Sequence, residues 1–166
     1  MPNTHLGFTG IRFLVIDGDA EVLRSVESCL QLNSALAVHS LERVLLSMDV
    51  LTNSHARVDC VICAQDLTPI SGLEFLKNLR SGKYGDAPHL RGVKFIMLTA
   101  HREMALVQAA VELDVHGYIV KPFDQMTLTR GIHKALAHRV NLKPSSVYLS
   151  VDNSSANILP VWLTSH

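Results

Sequence analysis

Phe13-Leu14-Val15-Ile16-Asp17-Gly18-Asp19 sets four consecutive apolar residues before a turn that carries two carboxylates. Such an unbroken apolar run suits a strand buried on both faces, as in a parallel sheet covered by helices. Asp19 is placed to cap the helix after it. From Ala20 to Leu32, residues Val22, Leu23, Val26, Cys29 and Leu30 recur at helical spacing. The strand-then-helix unit then repeats down the chain. Leu36-Ala37-Val38 is a short second strand, and Ser40 opens a helix through Val44, Leu45, Met48 and Leu51. Val61 to Cys63 is a third strand, and Gly72 to Leu79 a third helix. Past a loop rich in Gly, Pro and charge, Ser81 to Gly92, lie a fourth strand (Val93 to Leu98) and a fourth helix (Glu103 to Leu113). Tyr118-Ile119-Val120 and Met126 to Val140 complete five strands alternating with five helices. The pattern predicts an α/β domain with a doubly wound parallel sheet.

Composition narrows the function classes. The 166 residues suffice for one domain with a full core, and 48% apolar with 18% charged residues is an ordinary globular balance. Fifteen basic residues offset fifteen acidic ones, so the chain as a whole carries no footprint for nucleic acid. No apolar run approaches the roughly 18 residues of a membrane span. The first ten residues have neither the basic start nor the apolar stretch of a signal peptide. The expectation is a cytoplasmic protein that binds neither membrane nor nucleic acid. Cys60 and Cys63 form a C-x-x-C, but on a strand positions i and i+3 face opposite ways, so they are expected to be buried structural thiols. The nine histidines form no metal-binding pair at helical spacing.

Three regions are expected: an N-terminal tail (1–10), the α/β domain (11–140) and a C-terminal extension (141–166). The extension is rich in Ser and Asn, with apolar islands at Val147-Tyr148-Leu149 and Ile158-Leu159-Pro160-Val161-Trp162-Leu163. It reads as a tail that packs locally or stays mobile. The sharper alternative has Trp162 and its neighbours docking on the domain or on a partner.

In open parallel sheets, ligands gather beyond the carboxyl ends of the strands. Those ends read Asp17-Gly18-Asp19, Ala64-Gln65-Asp66, Thr99-Ala100 and Lys121-Pro122-Phe123. A carboxylate, a hydroxyl and an ammonium thus share one edge, which is equipment for holding a phosphoryl group.

Five motifs in order carry a resemblance. They are Ile16-Asp17, Asp59 five positions before Ala64, Ile70-Ser71-Gly72-Leu73-Glu74, Met97-Leu98-Thr99-Ala100 and Gly117-Tyr118-Ile119-Val120-Lys121-Pro122-Phe123. Over about residues 11 to 140 the chain resembles the receiver domains of bacterial response regulators, the chemotaxis-regulator type included. The resemblance implies a flavodoxin-like receiver fold with strand order 2-1-3-4-5 and signal transduction in a phosphorelay. It implies Lys121 as the phosphate-contacting lysine, Thr99 and Tyr118 as a switch pair, and a cis Lys121–Pro122 peptide. It also implies contact with a histidine kinase, phosphotransfer protein or downstream effector through the face of the fourth helix, fifth strand and fifth helix, and a homodimer is a separate expectation.

The departures bear directly on function. Where the family usually has two adjacent acids, this chain has Asp17 followed by Gly18. Counting five on from Asp59 or eight back from Gly72 places the phosphoacceptor position at Ala64. The family's usual proline is Thr68 here, with Pro69 after it. An alanine methyl neither attacks a phosphoryl donor nor ligates Mg²⁺. Asp17 alone faces Lys121, and the two are expected to neutralise each other. The expectation is therefore an atypical, non-enzymatic receiver with no cofactor and no metal, Asp17 and Asp66 being the only candidates left as ligands.

One alternative keeps Mg²⁺ and uses Asp66 as acceptor, which would require a costly slip of the third strand. Another is a small haloacid-dehalogenase-like phosphatase built on Asp17-Gly18-Asp19. It needs an acidic pair after the lysine, and only Asp124 follows Lys121 closely. Asp19 reads more simply as a helix cap. No G-x-G-x-x-G follows the first strand, which argues against a nucleotide-binding flavodoxin-like protein.

Overall fold

A computed structural model describes residues 7–52 and 57–154. Five strands, β1 (Arg12–Ile16), β2 (Ala37–Leu41), β3 (Cys60–Ala64), β4 (Lys94–Thr99) and β5 (Gly117–Val120), form one parallel sheet in the order β2-β1-β3-β4-β5. Val15 pairs with Ile62, Ile62 with Ile96, and Met97 with Tyr118. Helices α1 (Ala20–Leu32), α2 (Val44–Thr52), α3 (Gly72–Ser81), α5 (Met104–Glu112) and α6 (Gln125–Ala137) cover the faces. The expected fourth-helix, fifth-strand and fifth-helix face is therefore α5–β5–α6.

Alternation along the buried strands sends neighbouring side chains to opposite layers. Leu14, Ile16, Val61, Cys63, Phe95 and Met97 face α2, α3 and α5. Phe13, Val15, Cys60, Ile62, Ile96 and Leu98 face α1 and α6. Cys60 and Cys63 thus lie in different layers as free, buried thiols, with burial pushing both pKa values well up. No helix among the described residues is long and apolar enough to cross a membrane.

Four features revise or extend the expectation. Ser40 and Leu41, expected to open the second helix, instead continue β2, pairing with Val15 and Ile16, and the helix begins at Val44. As the edge strand, β2 is half-buried along its whole length, so it lacks the apolar run that marked the others. The loop Ser81 to Gly92 holds a one-turn helix, α4 (Pro88–Arg91), with proline at its start, where a missing N–H costs nothing. In the C-terminal extension, α7 (Ser145–Leu149) packs on α3. Phe8, within the stretch read as a tail, is buried edge-on to Phe13 and against His133. Trp162 lies outside the described residues.

Arg80, at the end of α3, is wholly buried and uses all its N–H groups. Nε donates to the Leu113 carbonyl (3.1 Å), and Nη1 to those of Arg91 (2.6 Å) and Val93 (3.0 Å). Nη2 donates to the Asp114 carbonyl (3.0 Å) and to His116 Nδ1 (3.3 Å). The Asp114 carboxylate accepts from Tyr148 Oη (2.7 Å) and Lys143 Nζ (3.2 Å), which fastens the extension. Beyond Tyr148 the chain follows α3 toward its first turn. Lys77 Nζ donates to the Val151 carbonyl, and Asn153 Nδ2 to Glu74.

His116 Nδ1 also accepts from the Phe95 N–H (3.1 Å). Burial first, then the charges of Arg80 and Lys94, push its pKa down to about 3 from 6.5. The unfolded chain takes a proton at His116 near its ordinary value while the folded chain does not. This contribution to stability is complete above pH 6.5 and is lost as pH falls toward 3, at no more than about 1.4 kcal/mol per pH unit. His116→Asn keeps an acceptor near Nδ1 but cannot titrate. Its urea midpoint is expected to fall less than the wild type's between about pH 7 and about pH 5; equal falls would contradict the assignment.

Candidate functional site

The carboxyl ends of β1, β3, β4 and β5 open on a cavity of about 560 Å³ whose lining includes Asp17, Gly18, Ala64, Asp66, Thr99 and Lys121. Asp17 closes β1 and is buried. Its Oδ2 accepts from Lys121 Nζ at 2.7 Å and its Oδ1 from the Asp19 N–H at 2.9 Å. Lys121 follows β5, its N–H held by the Thr99 carbonyl (2.9 Å), and the Lys121–Pro122 peptide is cis. To meet Asp17 the lysine crosses the ends of β4 and β3. Ala64, at the end of β3, puts only a methyl there. A second cis peptide joins Thr68 and Pro69, in the loop after β3.

The β3–α3 turn is built tightly. A side chain on Gly72 would place its Cβ 2.2 Å from the Ala64 carbonyl oxygen, so only glycine fits. Ser71 caps α3 by accepting from the Glu74 N–H. The buried Gln65 accepts from the Leu73 N–H through Oε1 (2.9 Å). Gln65 drew no notice in the sequence, because nothing local marks a polar residue at a strand end as buried. Gly18 is different: nothing lies within 4 Å of a Cβ built there, so the backbone leaves room for a side chain.

Asp66 is not directed at Lys121. Its side chain is 65% exposed, and both its oxygens face His101 Nε2, at 2.9 and 3.0 Å. His101 Nδ1 lies 3.3 Å from Glu103 Oε1. The His101 N–H donates to Thr99 Oγ1 (3.0 Å), and the His101 carbonyl accepts from Tyr118 Oη (2.8 Å). Thr99 and Tyr118 are therefore joined through one intervening residue, which no sequence motif marks. His101 stands 35 positions from Asp66, and no motif spans that gap. Burial first, then the charges of Glu103 and Asp66, push the Tyr118 phenol up to about 12.

The residues present do not suit Mg²⁺, which takes oxygen ligands in near-octahedral geometry. Gly18 and Ala64 offer no side-chain oxygen. Asp17 has one oxygen on an ammonium and the other on an N–H, and Asp66 has both turned to His101. Among the described residues, no group of three or more His, Cys, Asp or Glu is placed to hold a metal ion. Of the carboxylates a phosphatase would use, Asp17 is bonded to Lys121 and the other two serve as helix caps. Asp19 accepts from the Glu21 N–H at the start of α1, and Asp124 from the Thr127 N–H at the start of α6.

Known proteins share this architecture. The chain is 28% identical over 127 residues to a Campylobacter jejuni chemotaxis protein CheY homolog, spanning 76% of this chain and 92% of that protein. With the Vibrio cholerae chemotaxis protein CheY-3 it shares 30% identity over 76 residues, 46% of this chain and 55% of that protein. In fold it is similar to the chemotaxis response regulator CheY4 of Vibrio cholerae (TM-score 0.66, 20% identity), matching 76% of this chain and 99% of that one. The signal receiver domain of an HD domain-containing protein from Pseudomonas fluorescens gives a TM-score of 0.64 at 22% identity, over 77% of this chain and 88% of its own. The family model for the response regulator receiver domain matches residues 13–133, and with its β2-β1-β3-β4-β5 sheet this chain belongs to that family, a CheY-like receiver of two-component signalling.

Proposed function

We propose that this receiver signals by protein contact, without phosphorylation at the usual position and without a resident Mg²⁺. The observation that carries this reading is Ala64 at the acceptor position, beside an Asp17 already satisfied by Lys121. With nothing to accept a phosphoryl group, the Thr99–His101–Tyr118 connection answers to a binding partner, through that partner's differential affinity for two arrangements. The partner is a kinase, phosphotransfer protein or effector, and it docks on α5–β5–α6. Met104, Val111 and Met126 expose apolar side chains there, being 77%, 61% and 63% accessible. The chain itself catalyses no reaction in this reading.

Incubation with acetyl phosphate and millimolar Mg²⁺, followed by intact mass, is expected to leave the protein unmodified. Titration with Mg²⁺ alone should leave the amides of Asp17 and Asp66 unmoved. A phosphoryl adduct abolished by Asp66→Ala would replace this reading with that of a phosphoacceptor. Hydrolysis of generic phosphoesters would replace it with a phosphatase.

A further inference from the structure

His101 sits at the rim of the cavity with a carboxylate at each ring nitrogen. Asp66, from the loop after β3, faces Nε2 at 2.9 Å, and Glu103, from the loop before α5, faces Nδ1 at 3.3 Å. An ionised carboxylate only accepts hydrogen bonds, and a neutral imidazole carries a single N–H. Both contacts can be hydrogen bonds only when both ring nitrogens are protonated. We propose that His101 is a proton-operated latch, tying the β3–α3 loop to the β4–α5 loop as imidazolium and releasing one of them when it loses its proton. This goes beyond the proposed function and stands whether or not the chain accepts phosphate.

The latch is connected to Thr99 and Tyr118 by backbone atoms of the same residue. Thr99 Oγ1 holds the His101 N–H and Tyr118 Oη holds its carbonyl, so a shift of the His101 loop moves Tyr118's hydrogen-bond acceptor. A neutral ring turns a lone pair toward one of the two carboxylates, and that repulsion drives the release. The groups facing the ring are Asp66 from the β3–α3 loop and Glu103 from its own loop, while the Tyr118 phenol from β5 meets the backbone carbonyl of His101. Arg102, next in the chain, is exposed, and Lys121 is engaged with Asp17. Partial burial lowers the His101 pKa, but the hydrogen bonds and charges of Asp66 and Glu103 outweigh it and raise the value above 6.5. The closed latch is therefore complete below pH 6.5 and lost as pH rises through the raised folded-state value. The sign is opposite to that of His116, whose window lies below pH 6.5; global stability sums every titrating group, so a residue-resolved measurement isolates the latch.

The test is nuclear magnetic resonance of the full chain, labelled with ¹⁵N, titrated from about pH 5 to about pH 9. The His101 ring nitrogens are expected to be both protonated at the acid end. They should titrate above 6.5, with the backbone amides of Asp66, Glu103 and Tyr118 shifting at the same midpoint. In Asp66→Asn/Glu103→Gln, whose amides accept or donate, the midpoint should fall and the Tyr118 shift should disappear. A His101 midpoint at or below 6.5 overturns the proposal. So does a Tyr118 or Asp66 amide that does not follow the ring. Intact mass after acetyl phosphate separates this outcome from failure of the proposed function, since the latch needs no phosphoacceptor.

Discussion

Arg80→Met is expected to lower the unfolding free energy by about 3–5 kcal/mol, read from the urea midpoint at constant slope. The guanidinium serves four buried or half-buried carbonyls and the Nδ1 of His116. Methionine fills much of the volume but donates nothing. Each stranded acceptor costs about 1–3 kcal/mol, reduced where the surroundings relax or water enters. Burial pushes the Arg80 pKa down to about 10, opposed by Tyr148 and Asp114, so it remains charged at neutral pH. A lysine would recover only part of the loss, because a compact ammonium cannot reproduce the planar fork that reaches Leu113 and Val93 together. A loss under about 1 kcal/mol would show that these carbonyls find other donors.

Tyr148→Ala should cost a similar amount, about 3–5 kcal/mol, read as a fall in the urea midpoint. Its ring is wholly buried, and its hydroxyl donates to Asp114 and accepts from the Lys143 N–H at 3.1 Å. Tyr148→Phe removes the hydroxyl alone and should cost about 1–2 kcal/mol. The family match ends at residue 133, and the Vibrio cholerae CheY4 fold accounts for 76% of this chain. A segment outside that match nonetheless contributes a full aromatic to the core. Removal of the chain after residue 142 should destabilise at least as much as Tyr148→Ala. Wild-type stability in either variant would mean that α7 rests on the surface without contributing to the fold.

Much of the fold was legible because parallel strands covered on both faces need uninterrupted apolar runs. Phe13 to Ile16, Val61 to Cys63 and Val93 to Leu98 have them, and the strand order follows the receiver motifs. The edge strand β2 runs on through Ser40 and Leu41, where half-burial leaves no strong period to mark it. The facing of Asp17 and Lys121 and the cis Lys121–Pro122 peptide were expected and are present in the structure. The cis Thr68–Pro69 peptide and the buried Gln65 were not anticipated.

The sequence by itself determined which residues stand at the strand ends, Asp17, Ala64, Thr99 and Lys121 among them. Strand period and motif spacing are local properties, and they carry that information directly. Only the tertiary structure decided what Asp66 does, because its partner His101 arrives from a loop 35 residues away. The same holds for the Arg80–Asp114–Tyr148 junction, whose members lie on α3, the α5–β5 turn and α7. Side chains that meet across elements leave no period in the chain. Whether a carboxylate is a free ligand or half of an ion pair depends on which cation the fold brings within about 3 Å.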